Sequence, residues 1–201
     1  MYPKSRIDAL TDGVFAVAMT ILVLNLTLPE FGISDQARLA VAIKALWAKF
    51  LPYALSFYVL GSTWLSNIKL RSTAEYVDRS YASWWLLYLL IATCLPFSTS
   101  VVGRFTELKP ALWLYSTNMA ALALAGYRLV VLLPDLSDDE HTLDRKLSLL
   151  ALMITSLACI GLSLAYSSDA LWVYLLNALA PRLARWRAAK RTAAARGPKV
   201  T

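Results

Sequence analysis

The sequence predicts an all-α integral membrane protein with six transmembrane helices. Three observations carry that expectation. Of the 201 residues 58% are hydrophobic and only 16% are charged, with a mean hydropathy of +0.53. A soluble domain of this length needs more polar surface. Several apolar runs approach the roughly 20 residues that cross about 30 Å of hydrocarbon as helix, whereas barrel strands give alternating segments of about 10. The basic residues are also unevenly distributed between those runs, as the orientation of a multi-span chain requires.

The first span runs over about 7–28 and stops at Pro29. A polar link, "EFGISDQAR", follows. The second span covers about 45–68, and its lead-in "LAVAIKALWAKF" carries Lys44 and Lys49 ahead of Pro52, as an interfacial segment does. The third covers about 81–102 and contains Pro96, a kink position. The fourth covers about 111–133, the fifth about 147–166, and a weaker sixth about 170–183, interrupted by Pro181 and Arg182. Residues 1–185 thus form one transmembrane domain and 186–201 a basic tail.

With six spans both termini share a side. That side receives 15 of the 20 Lys and Arg residues, seven of them between Arg182 and Lys199. Excess positive charge marks the cytoplasm, so both termini are expected there. Trp64, Trp84, Trp85, Trp113, Trp172 and Trp186 fall near span ends, where amphipathic rings settle. The net charge of +7 is accounted for by orientation and by lipid contact, not by nucleic acid. Cys94 and Cys159 lie inside apolar runs as small packing residues. One histidine, no metal-ligand spacing and no nucleophile motif argue against an enzyme, and no cofactor is expected.

The first helix separates its faces. At about 100° per residue, Arg6, Leu10, Gly13, Val17, Ile21, Leu24 and Leu28 fall within about 40° of Val17. This stripe is purely apolar at depth, with Thr20 at its edge. Asp8, Thr11, Asp12 and Phe15 lie on the far side, which predicts one polar, buried face. Ala9, Gly13, Ala16 and Thr20 form a band of small residues of the kind that lets a neighbouring helix approach closely. A carboxylate at membrane depth must face protein or water. Asp12 therefore reads either as a structural anchor, with Trp64 and Asn67 near the end of the second span or a basic residue such as Lys69 as candidate partners, or as a proton or cation site.

Arg6, Leu10, Thr11 and Asp12 match the pattern Arg-x-x-x-Phe-Ser-Asp at the start of a first transmembrane helix. With "DGVFAVAMTILVL", "STWLSNIKL" and "LLIATCLPFSTSVVG", the sequence resembles the transmembrane protein 175 family of potassium channels, in its prokaryotic form with one set of six spans. Leu10 stands for the family's Phe, Thr11 for its Ser, and Asn67 where a His is expected. The resemblance implies a homotetramer whose first helices line a central pore without a carbonyl selectivity loop. It also implies a hydrophobic gate at Val17, Ile21 and Leu24, a hydroxyl layer at Thr20, and Asp12 on the packing side. The implied function is a modestly selective potassium channel of the prokaryotic cell membrane. Its partners are copies of itself, membrane lipid and permeant monovalent cations. The alternative is a proton-coupled secondary transporter using Asp12, which would need further intramembrane ionisable residues and matched broken helices.

Overall fold

A computed structural model describes residues 1–28, 35–69, 75–133, 140–165 and 170–176. Five long helices run alternately in opposite directions: α1 (Lys4–Val23), α2 (Gln36–Lys69), α3 (Arg79–Arg104), α4 (Lys109–Leu132) and α5 (Glu140–Ser163). A 3-10 helix, Ala170–Tyr174, follows. Two residues on each side form a minimal antiparallel ladder, β1 (Tyr2–Pro3) with β2 (Tyr76–Val77), which ties the start of α1 to the start of α3.

Among these helices Arg79–Arg104 and His141–Ser163 are each long and apolar enough to cross a membrane, and the two limbs of α2 qualify together. The first helix does not qualify on composition, because Arg6, Asp8 and Asp12 fall within it. Of those groups Asp8 pairs with Lys4 and Asp12 accepts from Trp64, while Arg6 is exposed. The expected sixth span is described only as far as Leu176, where the chain is 3-10 and then helical; the remainder of that span and the 186–201 tail lie outside the described residues.

The second helix departs from expectation. It starts at Gln36 instead of about 45, and Pro52 lies inside it. The helix bends by 42° between Gln36–Trp47 and Lys49–Ile68. Proline has no N–H for the carbonyl four residues earlier, and its ring crowds that carbonyl. For Pro52 that residue is Ala48, which is where the bend falls. The first limb is exposed almost throughout, with Ala42 its buried residue.

The core sits between α3, α4 and α5, with α1 and the second limb of α2 packed on α3. On α3 the buried series Tyr81, Trp85, Tyr88, Ala92, Leu95, Thr99 and Val102 steps by three and four, which is one helical face. Phe15 of α1 meets Tyr88 with ring centroids 6.0 Å apart. Gly126 lets α4 close on its neighbours: a Cβ there would lie 3.1 Å from a methyl of Leu149 and 3.5 Å from the Tyr88 ring. In lipid such close approach, not the expulsion of water, holds helices together.

A chain of buried hydroxyls crosses the middle of the bundle. Thr99 Oγ1 donates to the Leu95 carbonyl at 2.7 Å, so it accepts from Ser56 Oγ at 2.8 Å. Ser56 in turn accepts from the Tyr115 hydroxyl at 3.1 Å. This joins α2, α3 and α4 at a depth where water cannot substitute. We expect Ser56→Ala to cost about 0.6–1.7 kcal/mol, the range for such bonds in membrane bundles. A lowered unfolding midpoint in detergent would register it; an unchanged midpoint would mean the chain contributes nothing.

Candidate functional site

The helix α1 presents two opposed faces, and each has a physical cause. Lys4, Thr11, Phe15, Ala18 and Leu22 are buried against α2 and α3. The residues expected on the apolar stripe all face outward on the single chain: Leu10 is 50% exposed, Val17 56%, Ile21 42% and Leu24 68%. Arg6 and Gly13 are exposed with them, whereas α1 ends at Val23, short of the expected 28, so Leu28 lies beyond the helix and off its wheel. The small residues Ala9, Gly13, Ala16 and Thr20 are exposed as well.

The polar motif is held by two indoles. Thr11 Oγ1 donates to the Ile7 carbonyl at 2.7 Å and accepts from the Trp85 Nε1–H at 2.7 Å. Asp12 Oδ1 accepts from the Trp64 Nε1–H at 2.9 Å. Two consecutive motif residues thus tie α1 to α3 and to α2. A buried Trp must spend its one donor on an acceptor, and the motif supplies both acceptors.

The expected buried polar face is only partly realised. Thr11 and Phe15 are buried, but Asp12 is exposed on the single chain and Asp8 is half-buried. The buried face of α1 centres on Thr11, Ala18 and Leu22, so Asp12 lies at its edge. Asp8 pairs with Lys4 at 3.0 Å, one turn earlier on the same helix. Of the candidate partners, Trp64 reaches Asp12. Asn67 instead donates to the Tyr88 hydroxyl at 3.4 Å and accepts from Arg145 Nη2 at 3.0 Å.

Trp85, Lys4 and Arg145 were not singled out as site residues by sequence reasoning. Trp85 had a readable signal, since it lies on the helical series with Tyr81, Tyr88 and Ala92 while its neighbour Trp84 does not. Trp84 points elsewhere and lies under the Arg128 guanidinium, 5.7 Å from its ring centroid. No periodic signal marks Arg145 or Lys4 as buried.

Thr20 donates to the Val17 carbonyl at 2.8 Å. Its only hydrogen is therefore turned inward along the helix, and its oxygen lone pairs remain free on the exposed side. Just past the C-terminal end of α1, Asn25 Nδ2 donates to the Pro96 carbonyl at 3.0 Å and Lys49 Nζ to the Thr27 carbonyl at 3.0 Å.

The chain is thus a helical bundle in which one apolar face of α1 is exposed beside a polar motif held by two indoles. The family model described as endosomal/lysosomal potassium channel TMEM175 matches residues 6–96. A potassium channel of Chamaesiphon minutus is 29% identical over 127 residues, 62% of this chain and 63% of that protein. A potassium channel of Streptomyces collinus is 31% identical over 129 residues, 62% of each chain. The chain therefore matches less than two thirds of the length of these curated relatives. The fold is that of the crystal structure of a lysosomal potassium-selective channel TMEM175 homolog from Chamaesiphon minutus, with a TM-score of 0.75 over 87% of this chain and 96% of that one at 24% identity. Over residues 6–96 the chain is similar to the TMEM175 family, and these relatives are bacterial potassium channels. That family is one of channels, not of enzymes.

Proposed function

We propose that this protein is a potassium-permeable channel of the prokaryotic cell membrane, built from four copies whose α1 helices surround a central path. The observation that carries the reading is the exposed apolar stripe Leu10, Val17, Ile21 and Leu24, opposite a face buried in the protomer. An apolar stripe alone is at home in lipid. Here it lies beside a band of small residues suited to close helix contact, and on the helix that carries the family motif.

In the assembly, rings of Val17, Ile21 and Leu24 form a hydrophobic neck. Such a neck expels water when narrow, and an ion cannot cross it without replacing its hydration. A small tilt of the helices widens and wets it. Thr20 oxygens replace part of the lost hydration and favour potassium, the more easily dehydrated ion. Without a ring of backbone carbonyls the preference is modest. The chain crosses the membrane six times with both termini in the cytoplasm, and Asp12 anchors α1 through Trp64.

Reconstituted protein should pass potassium faster than sodium when the two fluxes are measured side by side. We expect Thr20→Val to fold normally and to lose most of that preference, since it removes the outward oxygen while keeping the shape. A preference retained in Thr20→Val would take the hydroxyl out of the selectivity step. Flux that saturates with substrate and requires a proton gradient would instead favour a transporter that uses Asp12.

A further inference from the structure

Where α1, α3 and α5 begin, the bundle holds a partly open cavity of about 20 Å³, lined by Lys4, Asp8, Asn67, Tyr81, Trp85 and Arg145 together with the end of α4. The two cations are deeply buried: Arg145 is 5% exposed and Lys4 8%. Lys4 is matched by Asp8 at 3.0 Å. Arg145 has only neutral partners. Its Nη2 donates to Asn67 Oδ1 at 3.0 Å and its Nη1 to the Thr63 carbonyl at 3.4 Å, while its buried Nε has no partner. Among the described residues no carboxylate lies within ion-pair reach of it.

An arginine cannot shed its proton to escape burial. The helix dipoles do not compensate either. Three helix N-termini (α1, α3, α5) and two C-termini (α2, α4) meet at this end, and N-termini carry the positive end of the dipole. Among the described residues one positive charge is therefore left over in a site with donors to spare. The Tyr81 hydroxyl, which has no acceptor among the described residues, is free for a ligand.

We propose that this cavity binds a small monovalent anion of chloride size, which neutralises Arg145 and braces α1 against α3 and α5. The volume favours a single-atom ion: a cavity needs roughly 10–15 Å³ to admit one water-sized body, and this one offers little more. Lys4 and Asp8 lie on the turns just before Thr11, so the anion steadies the end of the helix that carries the motif. The proposal concerns stability and stands apart from the channel reading.

The test uses the full chain in a non-ionic detergent, with its unfolding midpoint followed in potassium chloride and in potassium gluconate at matched ionic strength. Chloride should raise the midpoint by about 3 °C or more and saturate, as ligand linkage requires. Bromide should act likewise and give an anomalous scattering peak in the cavity. Asn67→Asp places a resident carboxylate at the Arg145 guanidinium. It should unfold in gluconate no lower than the wild type does in chloride, and should ignore chloride. Should Asn67→Asp fail to fold, Arg145→Gln takes its place and should likewise not respond. Equal wild-type midpoints in the two salts, a full chloride response in either variant, or a response to phosphatidylglycerol in place of chloride would overturn the proposal.

Discussion

Replacing Ile21 or Leu24 with asparagine raises the resting potassium conductance of reconstituted protein by about tenfold or more. In the proposed assembly these side chains form rings around the axis, and the barrier to an ion there is the loss of its hydration in a dry neck. An amide in each copy supplies oxygens and holds water. Lowering the barrier by about 1.4 kcal/mol already multiplies the rate tenfold. The control is Val23→Asn. Val23 is 49% exposed on the same helix, yet lies about 120° round it from Val17, away from the stripe. Its conductance should stay close to that of the wild type. Bilayer recording gives the result directly, and an unchanged conductance in either stripe variant removes that residue from the gate.

The second large effect belongs to the motif. We expect Asp12→Ala to lower the yield of assembled protein, because the Trp64 indole loses its carboxylate acceptor and α1 loses its tie to α2. Bonds to charged groups contribute about 1.5–3 kcal/mol. Because Asp12 is exposed on the protomer, that range is an upper bound here. Thr11→Val should cost about 1–3 kcal/mol by leaving the buried Trp85 N–H without an acceptor, and Thr11→Ser should restore it. Size-exclusion profiles and unfolding midpoints in detergent measure both. Normally assembled Asp12→Ala protein with a changed ion preference alone would contradict the anchoring role and return Asp12 to the conduction path.

How much of this was legible in the sequence depended on what each residue had to satisfy. The third and fourth helices were read within two residues of their ends, Arg79–Arg104 against 81–102 and Lys109–Leu132 against 111–133. Long apolar runs with clear breaks leave little choice there. The second helix starts at Gln36 instead of about 45, because the lead-in with Lys44 and Lys49 reads as a separate interfacial segment; the helix runs through it and past Pro52 with a bend at Ala48. The fifth begins at Glu140 instead of 147. Its first turns are polar, and they are helical because Thr142 and Arg145 bury themselves in the bundle. The β1–β2 ladder has no local signal at all, since it exists only because two helix starts are neighbours.

The same distinction holds at the site. The apolar stripe of α1 was visible from spacing, because a helix fixes which side chains share a face. Trp64 as a partner of Asp12 was anticipated from its depth in the second span. Asn67 was not correctly paired, since the choice between Asp12 and Arg145 depends on where α5 packs. Lys4 and Arg145 look like ordinary loop-side charges in sequence, and only the tertiary arrangement encloses them.

The most direct test of the central claim is thiol block of the current carried by Ile21→Cys, with Cys94 and Cys159 first replaced by alanine. If the α1 stripe of each copy faces a shared axis, a thiol-binding metal ion such as cadmium should stop the current at Ile21→Cys and leave Val23→Cys conducting. Block at Val23→Cys with none at Ile21→Cys would show that the stripe faces lipid, and would refute this account of the pore.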